Sequence, residues 1–145
     1  MTEIEFHFNT PDKLGYCTRL LRKIYRAGER AVVTAEPELL ANLDQFLWTF
    51  SPTEFLPHCL GTADARNLDA SPIVLAEQVS AGSVDSLLIN LGQRVPADFE
   101  RFHRLIEVVS AQDEDRLSGR SRWKHYRDRG YALNKHDLSG LAGAS

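Results

Sequence analysis

The chain has 145 residues, of which 43 % are hydrophobic and 26 % charged, a composition typical of one soluble globular domain. Its formal net charge is −3, and no stretch approaches the roughly 20 apolar residues that a membrane span needs. The acidic N-terminus is unlike a secretory signal, and two cysteines are too few for a disulfide framework. We therefore expect a cytoplasmic protein with reduced thiols and no membrane association.

Strands and helices alternate in the first half of the chain. Apolar residues alternate with polar ones over 4–8, which predicts a strand with one buried face. Helical spacing over 14–27 predicts a helix, and Gly28 stands where a C-terminal cap belongs. A short apolar strand follows at 30–35, and Pro37 suits the first turn of a second helix.

The second half is less regular. The residue patterns predict strands at 73–77 and 86–91 with a turn around Ala81-Gly82-Ser83, a short helix at 98–103, a strand at 105–109 and a helix at 113–129. Residues 61–71 are polar and predict a mobile loop, Phe55-Leu56-Pro57-His58 is predicted to be extended or a turn, and 139–145 is predicted to be a disordered tail. Together the elements predict a single α/β domain over 1–138. It has three layers, a mostly parallel sheet and helices on both faces, and is Rossmann-like without a nucleotide motif.

The motifs that would indicate an enzyme are missing. After the first strand, residues 9–15 contain a single glycine, Gly15, whereas a phosphate-binding loop needs several glycines. His58-Cys59 are neighbours on an extended segment and point to opposite sides, and Cys17 is most simply a buried hydrophobic residue. We predict no catalytic residue, no metal and no cofactor.

Positive charge is concentrated near the C-terminus. Six cations and one acid, Asp128, lie between Arg116 and Gly130, so this segment carries +5 and the rest of the chain −8. On a helix, Trp123 shares a face about 100° wide with four of the cations: Arg116, Arg120, Lys124 and Arg127. Arg122 and Arg129 point elsewhere. The face is either a solvated helix surface with Trp123 in the core, or a pocket for a ligand with an apolar group and a carboxylate, such as a protein C-terminus.

The same segment resembles a known family, the chi subunit (HolC) of bacterial DNA polymerase III. The matching pattern is Arg120-Ser-Arg-Trp123-Lys124-His-Tyr126-Arg127-Asp-Arg-Gly130-Tyr131. A second match is Leu47-Trp48 followed by Phe55-Leu56-Pro57-His58. The order of elements also agrees from the first strand to Asn134.

The resemblance implies a non-catalytic replication subunit with two protein partners. One is the acidic C-terminal peptide of single-stranded-DNA-binding protein, which ends in Pro-Phe. The other is the psi subunit, which tethers chi to the clamp loader, so that association with single-stranded DNA is indirect. The family's peptide-binding positions correspond to Arg120, Trp123, Lys124, Arg127, Gly130 and Tyr131, with Val109 lining the same pocket. Trp123 stands where the family often has tyrosine. Phe55 matches a psi-binding position, and Trp48 lies nearby in the motif.

From this match we expect a specific arrangement of the bound peptide. The expected roles are an apolar slot for the terminal phenylalanine (Val109, Trp123, Tyr131), two cations for its carboxylate (Lys124, Arg127) and two for upstream aspartates (Arg116, Arg120). Phe55 and Trp48 have an alternative interpretation as core residues. Two other functions remain open: direct DNA binding through the basic helix, and a nucleotide-using α/β enzyme.

Overall fold

Seven strands form one sheet in the computed structural model, which describes residues 2–49, 57–60, 72–77 and 87–139. The strands are β1 (Glu3–Thr10), β2 (Ala31–Thr34), β3 (His58–Leu60), β4 (Ile73–Leu75), β5 (Leu87–Asn90), β6 (Arg104–Ser110) and β7 (Leu133–Asp137). The α-helices are α1 (Lys13–Arg26), α2 (Pro37–Thr49) and α3 (Asp113–Asp128), and a 3-10 helix spans Phe99–Arg101. The strand order is β3-β4-β2-β5-β6-β1-β7, and every neighbouring pair is parallel.

Helices cover both faces of this sheet. On one face, α1 and α2 bury Cys17, Leu21 and Leu43 against the central strands. On the other face, α3 and the 3-10 helix bury Tyr126 and Phe99 against β1, β5 and β6. The predicted α/β fold with helices on both faces is confirmed, and the sheet is parallel at every described pair rather than only mostly parallel.

A glycine follows each of two helices, at Gly28 as predicted. Gly28 follows α1 with a φ of +76°, and Gly130 follows α3 with a φ of +82°. A left-handed conformation is strained for residues with a Cβ, so glycine is favoured at both positions. At the other end of α1, the Asp12 side chain accepts a hydrogen bond of 3.1 Å from the backbone N–H of Gly15.

Several element boundaries differ from the predictions. The strands β3 and β7 were not predicted as strands. The strands β4 and β5 are shorter than the predicted 73–77 and 86–91, and the predicted helix at 98–103 is a 3-10 helix of three residues. The edge position of β7 explains why it was missed, because four of its five side chains are exposed and it has no apolar alternation.

Some predictions fall on other parts of the chain. The loop at 61–71, the turn at Ala81-Gly82-Ser83 and the tail beyond Ser139 lie outside the described residues. Among the helices that are described, none combines the length and apolar character required to cross a bilayer.

A buried ionic cluster fixes α3 to the sheet. Glu107 on β6 is fully buried, and its carboxylate accepts hydrogen bonds from Arg122 Nε at 3.0 Å and from the Tyr126 hydroxyl at 2.6 Å. Asn90 on β5 donates to the same carboxylate at 3.0 Å. Burial raises the pKa of Glu107 above its ordinary value, while Arg122, Tyr126 and Asn90 act against that rise by stabilising the carboxylate. Because Arg122 and Tyr126 are both on α3, the cluster sets the rotation of this helix about its own axis.

A second polar network fixes the first turn of α3. The carboxylate of Asp115 accepts a hydrogen bond of 2.6 Å from the backbone N–H of Ser110. Lys13 on α1 lies 3.0 Å from the same carboxylate, and Gln93 donates to it at 2.7 Å. Burial alone would raise the pKa of Asp115, but these three partners outweigh burial and hold the pKa below its usual value.

This lowered pKa predicts a specific loss of stability in acid. A carboxylate with a depressed folded-state pKa stabilises the fold above its ordinary pKa of about 4, and that contribution is lost as the pH falls through the folded value. We therefore expect Asp115→Asn to destabilise the protein at pH 7, and the stability difference from the wild-type protein to shrink as the pH falls below about 4. Urea unfolding of both proteins across this range measures the difference. A stability gap that stays constant with pH would contradict the assignment.

Candidate functional site

A groove runs between α3 and the edge of the sheet formed by β1 and β7. Its cavity has a volume of about 230 Å³. The lining residues are Phe6, Phe8, Asn9, Val109, Arg116, Gly119, Arg120, Trp123 and Lys135. The groove thus combines an apolar and aromatic lining with three cationic side chains.

The floor of the groove depends on a close approach between α3 and β6. A Cβ atom on Gly119 would lie 3.0 Å from Cγ2 of Val109, tighter than ordinary van der Waals contact. Glycine at this position therefore lets α3 pack directly on Val109, which is itself 3 % exposed. Alanine at this position would require Val109 or the helix to shift by a few tenths of an ångström, so it would alter the floor of the groove.

The indole of Trp123 forms the aromatic wall. Its ring packs edge-on against Phe6, with 5.1 Å between the centroids. On β7, the Lys135 ammonium lies 4.9 Å from the centroid of the same ring, in cation–π range. Trp123 is half-buried and lines the cavity, so it belongs both to the edge of the core and to the groove.

The cations border the groove from two sides. Arg116 and Arg120 come from α3, and Lys135 comes from β7. The Arg116 side chain is 45 % exposed, and its guanidinium lies 4.0 Å from the Asp113 carboxylate, a distance that makes at most a weak surface ion pair. These side chains are therefore positioned to attract an anionic ligand to the groove.

The structure brings together half of the residues predicted for peptide binding. Val109, Arg116, Arg120 and Trp123 all line the groove. The other four, which are Lys124, Arg127, Gly130 and Tyr131, lie outside its lining.

The positions of those four residues follow from helix geometry and packing. Lys124 is the residue after Trp123, so its side chain lies about 100° around α3 from the indole and away from the groove. Arg127 lies one turn beyond Trp123, and its guanidinium is 3.3 Å from the Asp128 carboxylate. The ring of Tyr131 packs against Phe99, with centroids 5.3 Å apart, rather than beside the groove.

Five lining residues were not identified from the sequence: Phe6, Phe8, Asn9, Gly119 and Lys135. The sequence contained a signal for Gly119, because it is three residues after Arg116 and four before Trp123 and therefore neighbours both on the helix surface. Phe6 and Phe8 were predicted on a strand with a buried face, but nothing indicated which helix would cover them. Lys135 depends wholly on the pairing of β7 with β1, in which it is the partner of Phe6.

A second exposed surface lies at the opposite edge of the sheet. Trp48, near the end of α2, is 58 % exposed, so its interpretation as a core residue is wrong. Its ring lies 5.1 Å from that of His58 on β3, and Leu60 on the same strand is 42 % exposed. Phe55, the other residue predicted for psi binding, lies outside the described residues.

The carboxyl ends of the central strands, where related folds bind nucleotides, are occupied by side chains. Lys13 follows β1, and its ammonium donates at 2.6 Å to the carbonyl of Leu91, which follows β5. The same ammonium lies 3.0 Å from Asp115, whose carboxylate accepts a hydrogen bond from Ser110 at the end of β6. Lys13 therefore links the ends of three strands. Cys17 is fully buried, as predicted, and burial raises the pKa of its thiol to about 12.

The comparisons with known proteins decide the family. The family model described as DNA polymerase III chi subunit, HolC, matches residues 1–134. The chain belongs to the chi-subunit family of DNA polymerase III. It is 30 % identical to DNA polymerase III subunit chi of Pseudomonas aeruginosa, over 95 % of this chain and 98 % of that protein.

Two further chi subunits are similar over most of their length. The Haemophilus influenzae protein is 29 % identical over 82 % of this chain and 83 % of its own, and the Escherichia coli protein is 32 % identical over 76 % and 75 %. The resemblance predicted from the basic C-terminal segment is therefore confirmed.

Proposed function

We propose that this chain is a cytoplasmic, non-catalytic accessory subunit of DNA polymerase III that captures the acidic C-terminal tail of single-stranded-DNA-binding protein. In this proposal it also links that protein to the clamp loader through psi. The observation that supports tail capture is the groove beside α3, which combines an aromatic wall and an apolar floor with Arg116, Arg120 and Lys135 at its border.

The size of the groove suits one aromatic side chain. A cavity of roughly 150 Å³ is enough to hold benzene in an apolar core, and the groove measures about 230 Å³. The terminal phenylalanine would pack between Val109 and Trp123. Its carboxylate and the upstream aspartates would pair with the three bordering cations, which are placed for charge-assisted hydrogen bonds.

The charge distribution favours a short acidic ligand over a long nucleic acid. The chain has a net charge of −3 while three cations border the groove, so a long polyanion would be repelled by the rest of the surface. We expect tail binding on the order of micromolar, weakened by salt. Tight binding of an oligonucleotide without any peptide would favour the alternative, direct DNA binding.

Calorimetry with a synthetic tail peptide ending in Pro-Phe tests the proposal and the roles of the cations. We expect Arg120→Ala and Lys135→Ala each to weaken binding about 10-fold, the usual effect of losing one charge-assisted hydrogen bond. Lys23→Ala, an exposed cation on the opposite face of the sheet, is the matched control and should bind normally.

Lys124→Ala and Arg127→Ala separate two assignments of the peptide carboxylate. If the groove cations hold it, these variants should bind nearly as well as the wild-type protein. If Lys124 and Arg127 hold it, as expected from the resemblance, they should show the larger loss. Unchanged affinity in all four cation variants would contradict tail capture by this part of the protein.

The psi contact is proposed for the surface around Trp48. An exposed indole that packs on His58, on a strand whose Leu60 is also exposed, is the kind of anchor on which protein interfaces depend. We expect Trp48→Ala to abolish co-purification with psi while leaving tail-peptide affinity unchanged. A variant that still co-purifies with psi would show that the contact lies elsewhere.

A further inference from the structure

Three potential metal ligands meet on the face of the sheet opposite the groove. Glu5 and His7 are two residues apart on β1, so their side chains share a face. His136 on β7 is the register partner of His7. One ligand atom from each of the three residues lies within 4.8 Å of the others.

Two of the three separations between ligand atoms suit a tetrahedral metal ion. Glu5 Oε1 is 3.2 Å from Nε2 of His7 and 3.2 Å from Nε2 of His136. Zinc–ligand bonds of about 2.0–2.1 Å at tetrahedral angles separate neighbouring ligand atoms by about 3.3 Å. Two imidazoles and a carboxylate on one ion are also a ligand set that zinc accepts.

In His7 and Glu5, the side-chain N or O atom that would not contact the ion is hydrogen-bonded to a neighbouring residue. His7 Nδ1 is hydrogen-bonded to the Tyr16 hydroxyl, which would leave Nε2 free to face an ion. The other carboxylate oxygen of Glu5 accepts a hydrogen bond from Arg104, which would leave Oε1 as a single ligand atom. Metal-binding histidines and carboxylates characteristically have such outer partners, which orient them.

We propose that Glu5, His7 and His136 bind one divalent transition-metal ion, for which zinc fits best. The His136 side chain is 51 % exposed, so the ion would be reached from solvent on that side and would complete its coordination with water. The Arg104 guanidinium opposes a nearby cation, so we expect binding on the order of micromolar rather than the tight binding of a buried structural zinc.

The ion would join the edge strand β7 to β1. This link between β7 and β1 would affect the groove. The residue before His136 is Lys135, whose side chain is on the opposite face of the sheet and borders the groove. Zinc would therefore hold the strand that supplies one of the three cations. This inference does not depend on which peptide occupies the groove.

Titration of tag-free protein with zinc chloride in a calorimeter tests the proposal. We expect one ion per chain and a melting temperature several degrees higher at saturating zinc. His136→Ala should weaken zinc binding at least 10-fold, because it removes one of three protein ligands. The variant should fold normally, since the His136 side chain is half exposed. His103→Ala, a second exposed histidine, is the matched control and should bind zinc like the wild-type protein.

Three outcomes would overturn the inference. They are wild-type protein that binds no zinc, His136→Ala that binds as tightly as wild type, and equal loss in the His103→Ala control. Absence of zinc binding would leave the three residues as a hydrogen-bonded cluster only. Because tail-peptide affinity is measured separately in the Arg120→Ala variant, failure of the zinc site and failure of tail capture are distinguishable.

Discussion

Replacing Glu107 with alanine should destabilise the protein by about 3–5 kcal/mol, the usual cost of leaving one member of a buried ion pair without its partner. Arg122 is 2 % exposed and its Nε donates to the Glu107 carboxylate at 3.0 Å, so its charge would stay buried. Tyr126 would also lose its acceptor, and Asn90 would keep only the Arg94 carbonyl as an acceptor for its amide N–H groups. Urea unfolding, monitored by circular dichroism, measures the loss of stability. We expect a single unfolding transition for a domain of this size.

Two further variants separate charge from hydrogen bonding in this cluster. Glu107→Gln keeps an acceptor for Tyr126 but cannot neutralise Arg122, so it should also be strongly destabilising. Adding Arg122→Met to Glu107→Gln removes the uncompensated charge and should recover more than half of the lost stability. Two results would show that the ion pair does not determine the stability of this region. One is a Glu107→Gln variant as stable as the wild-type protein, and the other is a double variant no more stable than Glu107→Gln alone.

The position of α3 shows where sequence reasoning succeeds. The helical spacing of Arg116, Arg120 and Trp123 is a local property, because 100° per residue fixes which side chains share a face. These three residues do line the groove. The alternation of strands and helices likewise predicted the layers of the fold, because burial on one face leaves a period that the sequence records.

The remaining half of the groove depends on tertiary contacts that the sequence does not record locally. Lys135 reaches the groove only because β7 pairs in parallel with β1 at the edge of the sheet. A mostly exposed edge strand needs no apolar alternation, so Leu133–Asp137 has no pattern typical of a strand. The floor of the groove depends on the close approach of Gly119 to Val109. That approach is a contact between a helix and a strand, and a helical wheel shows only the helix. For the same reason, His136 could not be placed beside Glu5 and His7 from the sequence.

Removing the indole of Trp123 should have the largest effect on peptide binding. In Trp123→Ala we expect tail-peptide affinity to fall at least about 30-fold, because a central aromatic anchor is commonly worth 2 kcal/mol or more at an interface. The indole forms the wall of the cavity and holds Lys135 by a cation–π contact at 4.9 Å, so its loss removes apolar contact and frees one cation. Calorimetry with the peptide measures the loss under conditions in which circular dichroism shows the variant to be folded.

Trp123→Tyr is the control that distinguishes the aromatic wall from general destabilisation. A tyrosine ring can still pack against Phe6, whose centroid lies 5.1 Å from that of the indole, and can still lie beneath the Lys135 ammonium. We therefore expect this variant to keep most of the wild-type affinity, whereas Trp123→Ala does not. A peptide that lacks its terminal phenylalanine should bind weakly to the wild-type protein and to Trp123→Tyr, because such a peptide has no aromatic ring to pack against the wall. If Trp123→Ala binds the full peptide as tightly as the wild-type protein, the ligand does not use this groove, and the cations around it serve another purpose.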